Sequence, residues 1–449
     1  MSLISSDRVR AVVGLGVSGV STANFLAKQG LDFFVVDSRE NPPGLEQVKS
    51  ICPEDRIYTG SLDALKELGV TELFVSPGIA LSTPILKELA AQGVQMRGDI
   101  DLFRDYVKAP FVAITGSNAK STVTTLLNEL LLALGKKSVA GGNLGRPALD
   151  LLEDQADIYV LELSSFQLET THHLQADVAC LLNVSEDHMD RYDDLYSYQR
   201  AKQRIYRGCK AAVCNKQDIL TAPLLAQNTP VRAFTKGMPD LKEFGLIKDD
   251  EGTWLCHGVK RLLNTQQVRL KGEHNYANVL ACLAMLDVMG LPVDAPEVFA
   301  VLEQYAGLPH RCETVRELDG VVFINDSKGT NVGATLAALE GLGDSKTKVI
   351  HLLLGGVGKG ADFSPLAPVI EKYVKQVYVF GKDADQIIDI IPTDTPCSRY
   401  QGLSEVIGSV TNNVKAGDIV LFSPACASFD QYKSFEHRGM HFQELVNHL

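Results

Sequence analysis

Phe111-Val112-Ala113-Ile114-Thr115-Gly116-Ser117-Asn118-Ala119-Lys120-Ser121-Thr122 is the stretch from which the fold is read. Its first five residues are apolar or β-branched, the pattern of a short strand buried on both faces. Small residues and one lysine follow, and then a helical pattern over 121–134. Strand, small-residue turn and helix is the repeating unit of a parallel sheet wrapped by helices. The same unit recurs along the chain. Strand candidates are Ala11–Val13, Phe33–Val36, Leu73–Val75, Ile158–Leu163, Ala179–Leu182, Val349–Leu354, Val377–Phe380 and Ile419–Phe422. A second long helix is expected over Asn275–Met289. The fold class is α/β.

Composition bounds the rest. The chain has 449 residues, 45% of them apolar, enough for several cored domains. Boundaries near 96–99 and 307–309 give three domains, 1–98, 99–307 and 308–449. Within the second, 230–270 reads as weaker strands and turns, a sheet insertion. The net charge of −12 opposes non-specific binding to nucleic acid or anionic membrane. Nine cysteines without a C-x-x-C pair fit reduced thiols of the cytoplasm, not a thiolate zinc site. No signal-peptide layout and no membrane-length apolar run is present.

The turn 116–122 points backbone N–H groups and a helix N-terminus at an anion, as a phosphate loop does. Lys120 suits β/γ-phosphates, and Ser121 or Thr122 suits Mg²⁺. Ile114 and Ala119 stand where a Walker A loop has glycine. Gly14-Leu15-Gly16-Val17-Ser18-Gly19, with Asp37 eighteen residues on, carries the dinucleotide fingerprint. Taken alone it suggests an NAD-dependent oxidoreductase. It suits any diphosphate, a UDP-linked ligand included, and Ser76-Pro77-Gly78 belongs to the same crevice.

Glu162 ends an apolar strand, where a carboxylate needs a partner or a metal. His188 follows the next strand and with Glu162 offers a Mg²⁺ site. Asp187 and Asp190 read equally as helix N-caps. Lys202, among Arg200, Arg204 and Arg207, reads as part of a solvated basic face. Asn275 and Asn278 share a helix face and suit a nucleoside, or Asn275 is an N-cap. Arg311, Asp326, Lys328, Gly355–Gly360 and Ser423–Asp430 lie at strand C-ends, with a helix N-terminus expected after Ser428. Cys426 has no adjacent base and reads as a small buried thiol.

Taken together, the words 115–122, 161–170, 183–192, 308–311, 326–331 and 423–435 resemble the Mur ligases over essentially the whole chain. Within them the resemblance is to the branch that joins D-glutamate to UDP-N-acetylmuramoyl-L-alanine with ATP. It implies a cytoplasmic, ATP- and Mg²⁺-dependent amide ligase working through an acyl phosphate in peptidoglycan synthesis. It implies a Rossmann-like first domain, a P-loop-type second and a Rossmann-like third. Val17, Ser18, Asp37, Ser38, Arg39, Ser76, Pro77, Gly78, Asn143 and His188 would hold the UDP substrate. Gly116, Ser117, Asn118, Ala119, Lys120, Ser121, Thr122, Asn275, Asn278, Arg311, Asp326 and Lys328 would hold ATP. Lys328, Thr330, Lys359, Ser428, Phe429 and Phe435 would line the D-glutamate side. Lys120, Glu162, His188 and Lys202 would be catalytic, and Ser121, Glu162, His188 and Lys202 would serve the metal, with Lys202 carbamylated. That overrides the solvated-face reading of Lys202. A monomer is expected, without nucleic-acid partner or membrane insertion. Ala119, Gly329 and Val357 depart from the pattern, and Ala119 fits the loop if its φ is negative. Rivals are another amide ligase of the folylpolyglutamate type, an oxidoreductase, and a non-catalytic nucleotide-binding module.

Overall fold

The computed structural model describes residues 8–226, 228–343 and 347–449. Three sheets organise them. The first is wholly parallel, in the order Ile57–Thr59, Phe34–Asp37, Arg10–Val13, Glu72–Val75, Gln95–Arg97. Its central strand is apolar because helices cover both faces; Ala11, Val12 and Val13 are fully buried.

The second sheet has nine strands, running Lys260–Asn264, Gly252–His257, Phe244–Asp249, Val231–Phe234, Ala211–Asn215, Val178–Leu181, Phe111–Thr115, Ile158–Glu162, Ser138–Gly142. Its core is parallel, and Phe244–Asp249 pairs antiparallel with Gly252–His257. The expected insertion at 230–270 is therefore an extension of this sheet. The helix Lys120–Ala133 leaves the loop after Phe111–Thr115. The second expected helix spans Glu273–Val288. It is apolar on all sides from Val279 to Leu286, and all eight residues are buried. The Cys282 thiol there donates to the Val123 carbonyl at 3.6 Å.

The third sheet runs Glu313–Leu318, Val321–Asn325, Ile419–Phe422, Ile350–Gly355, Val374–Phe380, Cys397–Arg399. Only its first strand is antiparallel to its neighbour. One face packs Leu352, Leu354, Ile370 and Leu421; the other packs Leu353, Phe380, Phe422 and Phe442. The chain divides into two compact units. One holds the chain up to Asn183 with Tyr196–Leu263 and Asn278–Val301; the other holds Val184–Leu195, Asn264–Ala277 and Leu302–Leu449. Among the described residues no helix is long and apolar enough to cross a membrane.

Candidate active site

In the first unit the turn after Phe111–Thr115 is held from both sides. Ser117 N–H donates to Asn183 O at 3.0 Å and Asn118 N–H to Asn183 Oδ1 at 2.8 Å. Thr115 Oγ donates to Leu163 O at 2.7 Å. Lys120 Nζ donates to Gly116 O and Ser117 O, both at 2.8 Å. A cation lying across its own loop carbonyls stands ready to exchange them for phosphate oxygens. Ala119 caps the helix at φ 66°, in the left-handed region. The condition of a negative φ is not met, so its methyl is carried at a backbone cost.

Lys202 corrects the reading of a solvated basic face. It is 1% exposed, its ammonium donates to Gly116 O at 2.8 Å, and it lies 4.5 Å from the Tyr198 ring centre. The helix Leu195–Gln203 explains this: Tyr198 and Lys202 are one turn apart on its buried face. Ser117 Oγ lies 3.3 Å from the Tyr198 hydroxyl. Sequence reasoning passed over Tyr198; its spacing of four from Lys202 was the available signal.

Glu162 is 2% exposed at its strand's C-end. Oε1 accepts from Asn143 Nδ2 at 2.7 Å, while Oε2 is buried without a partner. A buried carboxylate oxygen left open is costly, and a cation would satisfy it. Among the described residues no group of three or more His, Cys, Asp or Glu gathers as a metal cage. The residues that fit Mg²⁺ are thus an open carboxylate oxygen beside a phosphate loop, not a dedicated cage.

The glycine turn at the first sheet opens on a cavity of about 580 Å³. Val17, Ser18, Asp37, Ser38, Arg39, Ser76, Pro77, Gly78 and Asn143 all line it. Gly19 is required there, since a Cβ would stand 1.8 Å from Gly14 O. Asp37 is saturated. It accepts from Leu15 N–H at 2.6 Å and from the Arg39 backbone N–H, Nε and Nη2 at 2.8, 2.9 and 2.7 Å. Burial pushes its carboxyl up, but the Arg39 and Leu15 bonds outweigh this and hold it below the usual range. Its visible work is aiming Arg39 along the cavity wall, in place of accepting from a ribose as a dinucleotide fingerprint requires.

In the second unit, Asp187 and Asp190 lie in a loop and cap no helix, correcting the N-cap reading. Asp187 accepts from Asn331 Nδ2 at 3.2 Å and pairs with Lys359. His188, at φ 59°, holds its ring 3.6 Å from the same carboxylate. These partners of Asp187 come together only in the tertiary structure.

Asn275 falls inside the first turn of its helix, which starts at Glu273, so it is no N-cap; its amide donates to Lys271 O at 2.8 Å. Asn275 and Asn278 are each 8% exposed. Asp326 accepts from Ser423 Oγ at 2.6 Å and Cys312 N–H at 3.2 Å, and burial pushes it up to about 6. Gly329 suits this place, because a Cβ would meet Asp326 Oδ2 at 2.6 Å. Val357 keeps a two-way backbone bridge to Ala427, 2.9 Å each way, so its departure touches the side chain alone.

Lys328 Nζ lies 3.9 Å from the centre of the Phe435 ring, and its backbone N–H donates to His310 O at 3.0 Å. Thr330 N–H donates to Lys328 O at 2.7 Å. Ser428 is buried and Phe429 is 74% exposed. A turn follows Ser428, with Tyr432 N–H on its carbonyl, and the expected helix begins at Phe435, capped by Ser434. Arg438, also missed, is fully buried in that helix and donates to Ser327 Oγ at 3.1 Å and Ser327 O at 2.8 Å. Burial lowers it to about 10. It fixes the turn that presents Lys328. Cys426 is buried and its thiol is pushed to about 12 by burial, as expected of a packing residue.

Three family descriptions match: the Mur ligase MurD-like N-terminal domain over 8–98, the Mur ligase middle domain over 114–286, and the Mur ligase glutamate ligase domain over 310–426. The chain is 50% identical over 449 residues to the UDP-N-acetylmuramoylalanine–D-glutamate ligase of Pseudomonas aeruginosa, covering all of both chains. It is 46% identical to the ligase of the same name from Acinetobacter baylyi, again end to end. Among solved structures it resembles the UDP-N-acetylmuramate-alanine ligase MurC of Thermotoga maritima, with TM-score 0.60, 18% identity and 98% and 99% of the two chains covered. MurF of Thermotoga maritima, solved in complex with ADP, gives TM-score 0.60 at 17% identity over 99% and 97%.

Proposed function

The chain belongs to the Mur ligase family, and from that premise we propose how its residues divide the work. It is an ATP-dependent carbon–nitrogen ligase of peptidoglycan precursor synthesis, joining D-glutamate to UDP-N-acetylmuramoyl-L-alanine. One observation carries the site reading: Lys120 and Lys202 converge on the Gly116 carbonyl of one phosphate loop.

Residues 1–98 hold the UDP part of the substrate, 99–307 form the ATPase core, and 308–449 complete the ATP site and take D-glutamate. Arg39, aimed by Asp37, faces the UDP phosphates with Ser18 and the glycine turn. Asn143, held by Glu162, contacts the muramoyl peptide. Lys120, Ser121 and the N–H groups of 116–122 take the ATP phosphates. Asn275, Asn278, Arg311 and Asp326 take the nucleoside end. Lys328, Thr330, Lys359, Ser428, Phe429 and Phe435 surround D-glutamate, where two lysines offset its carboxylates.

Mg²⁺, when bound, offsets charge on the phosphoryl group being transferred. Glu162 Oε2, Ser121, His188 and a carbamate on Lys202 would hold it. The carbamate then supplies the second carboxylate that the loop lacks. The substrate carboxylate attacks the γ-phosphate to give an acyl phosphate, with Lys120 following the charge. The D-glutamate amine attacks the acyl carbon, a tetrahedral intermediate forms, and phosphate leaves. Positioning and electrostatics suffice, so no side-chain nucleophile is needed. The enzyme works as a cytoplasmic monomer.

Lys120→Ala tests the loop. ATP-dependent phosphate release should fall below detection while UDP-substrate binding persists; near-normal turnover would remove Lys120 from its role.

A further inference from the structure

The helix Leu195–Gln203 has a second face that the ligase reading leaves unused. Tyr196, Gln199, Arg200 and Gln203 recur at helical spacing along it, opposite Tyr198 and Lys202. They line a cavity of about 680 Å³ that continues onto Arg204 and Arg207. That volume lies within the range of roughly 300–1,000 Å³ seen for small-molecule sites.

Its chemistry has two parts. Arg200, Arg204 and Arg207 line it, and no Asp or Glu does. Among the described residues none of these three arginines forms an ion pair, in a chain of net charge −12. Arg204 is the most constrained. Its Nη2 donates to Thr171 O at 3.0 Å, but its Nε is buried without a partner. Arg200 and Arg207, exposed neighbouring cations with no ion-pair partner, favour an added anion. The remaining wall is apolar, and it leaves large side chains in water: Tyr196 is 63% exposed and Ile219 80%. Gln199 and Gln203 are already used, donating to Leu220 O at 3.0 and 2.8 Å, so they close the floor.

We propose that this cavity is a second ligand site, for a small anionic amphiphile with one phosphate or carboxylate head on an apolar body, and that its occupancy is felt at Lys202 through the shared helix. A free phosphate lacks the apolar half, and a neutral alkyl chain lacks the head. One short helix carries the cavity wall on one face and Lys202 on the other, so a small rotation suffices to move Lys202 from Gly116 O.

The test uses octyl phosphate below its micelle concentration, titrated calorimetrically into the full chain with UDP and ADP present to fill the nucleotide sites. Inorganic phosphate and octanol are the parallel arms. We expect one octyl phosphate per chain, with both control ligands at least about tenfold weaker. Arg200→Glu with Arg207→Glu, both exposed positions, should weaken octyl phosphate at least about tenfold and leave ligase turnover without it unchanged. Arg200→Lys with Arg207→Lys should bind within about threefold of the parent, which separates lost charge from lost fold. Saturating octyl phosphate should change KM for ATP at least about twofold in the parent and not in the Glu pair. Equal binding by the Glu pair, by phosphate or by octanol overturns the site. Saturation with no change in KM for ATP overturns the coupling.

Discussion

Replacing Ala119 by glycine should stabilise this chain, although glycine substitutions inside elements usually do the reverse. Ala119 caps the helix Lys120–Ala133 at φ 66° and ψ −3°. An L-residue there costs roughly 1–2 kcal/mol through its Cβ against backbone. Alanine is also a poor N-cap, and no side-chain bond caps this helix. Against that gain stands the extra entropy glycine loses on folding, about 0.5–1 kcal/mol. The net is a stabilisation of about 1 kcal/mol from these opposing terms. Urea unfolding followed by the fluorescence of Trp254, which lies in the same sheet, reads it as a raised midpoint with unchanged slope. Ala119→Val should do the opposite and cost more than alanine, since a β-branched side chain fits left-handed backbone worse. KM for ATP should hold or fall in Ala119→Gly, because the loop's N–H groups keep their direction. A lower urea midpoint for Ala119→Gly would refute the assigned strain.

Three other outcomes follow from particular contacts. Asp37→Asn frees Arg39 from its bidentate hold, so KM for the UDP substrate should rise about tenfold with kcat nearly unchanged, by steady-state kinetics. Asp326, pushed up to about 6 by burial, accepts from a ribose hydroxyl more strongly when ionised, so KM for ATP should fall as pH rises from 5 to 7, and Asp326→Asn should flatten that profile. Its stability contribution has the opposite sign: present below the unfolded carboxyl pKa, it is lost as pH rises through about 6. Gly329→Ala should drive its methyl against Asp326 Oδ2 and Ser423 Oγ, costing about 1–3 kcal/mol in urea unfolding and raising KM for ATP.

Much of the fold was legible because its strands are short, apolar and followed at once by turns, as at Phe111–Thr115 and Ile419–Phe422. Strand ends shifted by up to three residues, as at Val374–Phe380, since apolar runs do not mark where pairing stops. The cavity at the first sheet was legible as words at strand ends, since Val17, Ser18, Asp37, Arg39, Ser76 and Asn143 line one space. What was not legible depends on tertiary pairing. Lys202 sits among three arginines, and composition gives no means of telling its inward face from theirs. Asp187 looked like a helix cap, yet the helix starts at Leu195 and Lys359 claims the carboxylate. Arg438 is separated from Ser327 by 111 residues, a distance no local pattern bridges.

Phosphate release, measured with ATP, UDP-N-acetylmuramoyl-L-alanine and D-glutamate and with each omitted in turn, tests the central claim most directly. The account predicts release only with all three present, with one phosphate per amide formed. Steady release without D-glutamate, or amide formation without ATP, would contradict it.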